Sequence, residues 1–398
     1  MSKKILLLIP NFGFGGAQRV FADHSRLFSK FSQVEECVFN LSLKDEYVSG
    51  NTLHTLDVAH GDSFLSKAIR FWERVKALKE LKKKEQYDIC ISHLEGADYV
   101  NVLSRQSEKI ILVIHGSKLA DENISGLMGW IRKRILLPVL YKKADLIITV
   151  SDGIKLELQS DYSIPASSIV SIPNYFNIPE IIKESECELN SYIQAIKNNH
   201  KIILFSGRFA AQKNIIPLFQ IFKKLTMELS QVKLVLVGDG ELRNELLIEC
   251  RAMNFKVHTE DRLFDEFYDV YFMGYYKNPF PIIKSCDVFV MTSKWEGFPM
   301  ALCEAMAIGS CVVAADCPTG PRQILEYQDQ SGIPHRAGLI MPIPKAGDHA
   351  TINQWVSALK EILLNEELRN QYKQEAKVRV ADFSEEVVAK KWLSVLNY

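Results

Sequence analysis

Short, nearly continuous apolar runs alternate with longer amphipathic stretches along this chain, the pattern of a parallel α/β protein. Runs at Lys4–Pro10, Val34–Leu43, Tyr87–Ser92, Ile110–Ile114 and Asp145–Val150 predict a first set of buried strands. Helical patterns separate them, as at Ala17–Lys30, where Val20, Phe21, Leu27 and Phe28 are set among polar positions. A second set follows at Lys201–Phe205, Val232–Val237, Met273–Tyr275, Asp287–Met291 and Cys311–Ala315. Helices are predicted there over Glu241–Met253, Phe280–Ser285 and Met300–Ile308. Between the two sets, Pro179–Asn199 is polar and charged, with a helical patch but no strong strand signal, which predicts an interdomain connection. The domains expected are therefore 1–178 and 201–383, with a linker over 179–200. A closing helix is expected over Val387–Leu396, with Ser384 as its N-cap and Val387 turned inward.

Composition narrows the classes. The 398 residues are 47% hydrophobic and 24% charged, ordinary for a globular protein of two domains. The 48 basic and 48 acidic residues cancel, which argues against a dedicated nucleic-acid binder. Eight cysteines are scattered without a C-x-x-C pair, so neither a zinc site nor a disulfide framework is indicated, and reduced cytoplasmic thiols are expected. No apolar run reaches 18 residues, which predicts no transmembrane helix.

The candidate chemistry gathers at the C-terminal ends of the predicted strands, where open α/β sheets bind ligands. After Asp287–Met291 comes a loop carrying Glu296 and Gly297. Pro299 then opens the helix Met300–Ile308, whose free N–H groups suit a phosphate. Glu304 lies eight positions beyond Glu296, and either carboxylate could accept hydrogen bonds from vicinal hydroxyls. After Lys201–Phe205 comes Gly207, followed by two cations, Arg208 and Lys213, close to a strand end. His115 directly follows the strand Ile110–Ile114 and could hydrogen-bond a sugar hydroxyl or a phosphate, whereas His93 reads as structural. Gly15 and Gly16 end a glycine-rich loop, but G-x-G-x-x-G with its ribose-binding acid is missing, so a dinucleotide site is disfavoured.

The stretch EGFP-x-x-L-x-E-A-M-A-x-G, from Glu296 to Gly309, resembles the E-x7-E signature of retaining family 4 glycosyltransferases. The G-R…K-N element of Gly207–Asn214, G-D-G-E-L-R from Gly238 and I-P-N at Ile172–Asn174 extend that resemblance over nearly the whole chain. It implies the GT-B fold, two facing Rossmann-like doubly wound domains with a deep cleft between them. It also implies a last helix, 384–398, that completes the first domain. The residue roles it implies are these. Glu304 holds the nucleotide ribose and Glu296 the donor sugar's hydroxyls, with His115 beside that sugar. Arg208 and Lys213 clamp the phosphates, assisted by N–H groups over Phe298, Pro299, Met300, Ala301 and Leu302. Gly15, Gly16, Gly207, Gly238, Gly297 and the backbone of Tyr275 approach the donor, and Gly320 with Arg322 lies on a loop near the diphosphate or acceptor. The substrate is a nucleotide sugar, most often a UDP-sugar in this family. The acceptor implied is a glycan or polyprenyl-diphosphate-linked saccharide, and no metal or other cofactor is expected.

Two basic segments bear on location. Residues 64–86 hold eight Lys/Arg against three Glu around Ile69, Trp72, Val75 and Leu78, and 127–143 hold five basic and no acidic residues beside Trp130. Such faces are either solvated helix surfaces or docking faces for the anionic inner surface of a membrane. Two rivals stay open: a GT-B sugar-nucleotide epimerase, which needs further acid/base carboxylates, and an inactive GT-B binding or scaffold protein, which has no need of intact Arg208, Lys213, Glu296 and Glu304.

Overall fold

The computed structural model describes residues 3–13, 15–41, 50–58, 63–120, 126–261, 264–328 and 334–397, without the side chains of Phe64, Leu127 and Met128. Two compact units emerge, Met1–Asn174 and Tyr175–Tyr398.

In the first unit the apolar runs become β1 (Lys4–Ile9), β2 (Gln33–Val38), β3 (Thr52–Thr55), β4 (Ile89–His93), β5 (Lys109–Ile114), β6 (Leu146–Thr149) and β7 (Ile169–Ser171). They form one sheet in the order β3-β2-β1-β4-β5-β6-β7, every neighbouring pair parallel. Helices cover both faces, which is why β1 can be apolar at five consecutive positions, Ile5–Ile9, all of them buried. The strand expected to Leu43 ends at Val38; positions 42 and 43 lie outside the described residues. The helix Phe64–Glu85 opens on a reciprocal cap, Ser63 and Ser66 each accepting from the other's backbone N–H, and closes at Gln86 in the left-handed region.

The second unit repeats the scheme with β8 (Lys201–Ser206), β9 (Val232–Val237), β10 (Val257–Thr259), β11 (Val270–Phe272), β12 (Val288–Met291) and β13 (Val312–Ala315). A hairpin of β14 (Glu326–Gln328) and β15 (Pro334–Arg336) precedes β16 (Leu339–Met341). The large sheet runs β10-β11-β9-β8-β12-β13-β16, again all parallel. Its core includes Phe205, Phe219, Phe222, Phe272 and Trp355, whose indole N–H donates to the Pro342 carbonyl at 2.8 Å.

The helical patch expected in the connecting segment extends to two helices, Ile178–Ser185 and Ser191–Asn199, and the first of these packs on Phe280–Ser285 and Met300–Ile308. Its polar sequence belongs to helices with one apolar stripe, Ile181, Ile193 and Ile196 being buried. The closing helix, Glu385–Leu396, is grouped with the second unit, where Phe176 bridges to Ser384. Ser384 sits at its N-cap position but makes no side-chain cap, and Val388 rather than Val387 is buried.

Candidate active site

In parallel sheets all strands end at one edge, so residues distant in sequence meet there if their strands are neighbours. In the second unit the chain starts at β8, builds outward through β9, then returns to the other side of β8 as β12. The β8/β12 boundary is the topological switch point, where the two crossovers leave in opposite directions and open a crevice. Lys213 follows β8 and Glu296 follows β12. They meet: Lys213 Nζ is 2.6 Å from Glu296 Oε1.

The pair is fixed from several sides. Ser293 Oγ donates to the same Oε1 at 2.6 Å, while Gln212 Nε2 donates to the Trp295 carbonyl at 2.7 Å and lies 3.5 Å from Glu296 Oε2. Asn214 adopts the left-handed conformation at φ 54° and donates to the carbonyls of Thr292 and Pro344. Thr292 in turn donates to the Lys213 carbonyl at 3.0 Å. The turn 212–214 and the loop 292–296 are thereby stitched together before any ligand arrives. Glu296 is 5% exposed, buried enough that its charge needs this company.

Around the pair, the helix Met300–Ile308 begins at Pro299 without a side-chain cap, and Glu304 is buried one turn inside it. Phe298 is buried between Phe176 and Phe383, which anchors the backbone of that entry. Gly320, at φ 84°, passes close to this turn: a Cβ there would stand 2.9 Å from Pro299 Cδ and 3.0 Å from the Gly297 carbonyl. Gly238 follows β9, and a Cβ on it would lie 2.0 Å from the Gly207 carbonyl oxygen, so the β8 and β9 loops can interlock only with glycine at 238. The Gly238 N–H donates to the Gly274 carbonyl at 2.8 Å, bringing the half-exposed Tyr275 to the same edge.

Arg208 and Arg322 differ from Lys213. Arg208 is exposed and pairs with the exposed Glu241 at 3.0 Å, a contact an anion can displace cheaply. Arg322 is held by Asp316 and Glu326, so its guanidinium is engaged away from the Lys213–Glu296 pair.

In the first unit the switch point lies between β1 and β4. Gly15 precedes the helix Gly16–Phe28 there, with no side-chain cap. His115, after β5, is partly exposed, and its Nε2 lies 2.9 Å from Nδ1 of the fully buried His93. Burial, and secondarily the Lys118 ammonium, push His115 down to about 3, so the ring is neutral. Sequence reasoning named His93 but read it as structural, and it did not single out Ser293 or Thr319, which donates to the Glu296 carbonyl. For His93 the available signal was its place at the end of a strand adjacent to that of His115.

Two doubly wound parallel-sheet units in one chain are the architecture of the GT-B class of glycosyl-transferring proteins. Residues 14–178 match the family described as Glycosyltransferase Family 4, and residues 188–379 match Glycosyl transferases group 1. The chain belongs to the family 4 glycosyltransferases. It is 25% identical over 99% of both chains to the N-acetylgalactosamine-N,N'-diacetylbacillosaminyl-diphospho-undecaprenol 4-alpha-N-acetylgalactosaminyltransferase of Campylobacter jejuni. It is likewise 25% identical, over 99% of both, to the amylovoran biosynthesis glycosyltransferase AmsD of Erwinia amylovora. An uncharacterized glycosyltransferase of Methanocaldococcus jannaschii is 27% identical over 263 residues, and there the chain spans 61% of the relative's length. Among solved structures, Anabaena HepE in complex with UDP and glucose has the same fold, with a TM-score of 0.75, 16% identity and 99% of each chain covered.

Proposed function

We propose that this protein moves a sugar, with retention of configuration, from a UDP-sugar to a hydroxyl of a polyprenyl-diphosphate-linked saccharide in surface glycan assembly. The observation that carries the reading is the Lys213–Glu296 pair, its carboxylate buried, at the β8/β12 switch point beside a helix N-terminus without a side-chain cap. As the glycosidic bond to the diphosphate breaks, negative charge grows on the leaving oxygen. Lys213, Arg208 and the first N–H groups of the helix Met300–Ile308 are the fixed positive ends that meet it. Glu304 takes the ribose hydroxyls. Glu296 accepts from sugar hydroxyls through Oε2, since Oε1 is taken by Lys213 and Ser293. With cations already in place, no metal is invoked. A leaving phosphate that itself takes the acceptor proton gives retention without a side-chain nucleophile.

The acceptor class is supported by the relative from Campylobacter jejuni, whose name places its acceptor on diphospho-undecaprenol. Among the described residues no helix is long and apolar enough to cross a membrane. The helix Phe64–Glu85 instead exposes Leu65, Ile69 and Trp72 on one stripe, with Lys67, Lys76 and Lys79 exposed on the same helix; Trp130, Ile135 and Val139 are exposed in the second basic segment. Apolar side chains flanked by lysines suit an anionic bilayer surface, and we propose peripheral docking there.

The test is donor consumption, using purified protein, UDP-, GDP- and ADP-sugars and a polyprenyl-diphosphate-saccharide, with and without EDTA. Acceptor-dependent, EDTA-insensitive release of UDP, with a product of the donor's anomeric configuration by NMR, is expected. An interconverted sugar nucleotide with no diphosphate released would replace the reading with an epimerase.

A further inference from the structure

β4 and β5 pair in parallel, with His93 opposite Val113, so the two strands deliver His93 and His115 to one edge. His93 Nδ1 and His115 Nε2 are 2.9 Å apart, while the ring centroids are 5.0 Å apart and the planes differ by 23°. The nitrogens are much closer than the rings, so the imidazoles meet edge to edge in nearly one plane. That is a hydrogen bond, not a stack. One proton must sit between the two nitrogens, and its owner fixes the tautomer of both rings.

The surroundings name the owner. His93 is fully buried against Phe21 and His24 of the helix Gly16–Phe28, and its Nε2 has no hydrogen-bond partner among the described residues. Were His115 the donor, the His93 proton would move to Nε2 and become a buried N–H without an acceptor. With His93 as donor only a bare lone pair is buried there, and orphaned buried N–H groups are the rarer and costlier kind. A doubly protonated His93 is disfavoured first by burial and then by His115 and His24.

We propose that His93 is a positioning residue that donates its Nδ1–H to His115 Nε2, fixing His115 as a neutral ring that offers Nδ1–H to substrate. The proposal rests on the transferase reading above, in which His115 meets the donor sugar. It adds a constraint on the chemistry. The one acceptor lone pair of His115 is used by His93, so His115 serves as a hydrogen-bond donor to a hydroxyl or phosphoryl oxygen and not as a general base. The groups around the pair are His24 from the helix after β1 and Lys118 from the loop after β5. Lys118 is 3.4 Å from Glu95 of the helix Glu95–Leu103.

Long-range 1H–15N spectra of the 15N-histidine-labelled full-length protein test this directly. Protonated Nδ1 and bare Nε2 on both His93 and His115 are expected; a protonated Nε2 on His115 overturns the proposal. In parallel, His93→Asn keeps a donor near the Nδ1 position and His93→Phe fills the volume without one. His93→Asn should hold kcat within about threefold, whereas His93→Phe should lower it about tenfold, the loss of one oriented hydrogen bond, and leave His115 a mixture of tautomers. Equal kcat and an unchanged His115 tautomer in His93→Phe would make His93 a packing residue. If the unsubstituted protein releases no nucleoside diphosphate, the transferase reading fails, while the spectra still decide the tautomer.

Discussion

The two switch points handle electrostatics in opposite ways. At β8/β12 the second unit keeps charge and pairs it: Lys213 with Glu296 under cover, Arg208 with Glu241 in solvent. Near β1/β4 the first unit removes charge, packing His24, His93 and His115 as neutral rings beside Phe21 and Phe28. The difference suits the proposed reading: a leaving diphosphate needs formal positive charge held in place, whereas a sugar hydroxyl needs a directional partner of low charge. The preformed pair also keeps the buried Glu296 carboxylate from standing without a cation while the site is empty.

The sharpest way to break this comparison is at Lys213 and Arg208. Either alanine substitution should lower kcat about 100- to 1000-fold, because both act on charge that develops in the transition state. Stability should separate them. Arg208→Ala leaves the melting temperature within about 1 °C, since its pair is exposed. Lys213→Ala costs about 3 kcal/mol, because Glu296 is left buried without its cation. The double variant Lys213→Ala/Glu296→Gln should recover stability and not activity, read by denaturant unfolding alongside kcat. Equal melting losses in the two single variants would refute the assignment of one buried and one solvent pair.

Gly238→Ala tests whether backbone fit is as decisive as charge. A Cβ would collide with the Gly207 carbonyl oxygen, and φ at 137° is unfavourable for any side chain, so about 3 kcal/mol of stability should be lost. Gly16→Ala, with open space around its Cβ, is the control and should be near neutral in unfolding curves.

The neutral histidines predict an acid response. His24 and His115 are lowered to about 3 and His93 lies well below its ordinary range, so the unfolded chain binds their protons first. Their stability contribution is whole above the unfolded value near 6.5 and declines as pH falls toward about 3. Buried Asp98, raised to about 7, opposes this, because its folded form takes the proton between about 7 and 3.8. Among these four groups three favour the unfolded state and one the folded as pH falls below about 6.5, so stability declines with acid. Unfolding free energies at pH 7 and pH 5 should show the fall, and His24→Phe should reduce it.

The smallest effect belongs to the surface. Ile69→Ala/Trp72→Ala should weaken sedimentation with vesicles containing anionic lipid by about tenfold. Turnover of a short-chain soluble acceptor should be unchanged.

Much of this was legible in the sequence, and unevenly. The apolar runs placed most strands because parallel strands are buried on both faces and admit few polar residues. The connecting segment was read only coarsely for the complementary reason: Ile178–Ser185 and Ser191–Asn199 each bury a single stripe, and their polar majority hides how helical they are. The charged half of the candidate site could be read because Gly207, Lys213, Glu296 and Gly320 lie in short continuous stretches that resemble the family's motifs. Their pairing was another matter. Lys213 and Glu296 are 83 residues apart, and only the strand order β9-β8-β12 makes their loops neighbours. His93 and His115 meet by the same rule, through β4 and β5. Residue types and local backbone needs were determined by the sequence itself. Which side chains share a proton or a charge was decided by sheet order, because parallel pairing sets who stands beside whom at the edge.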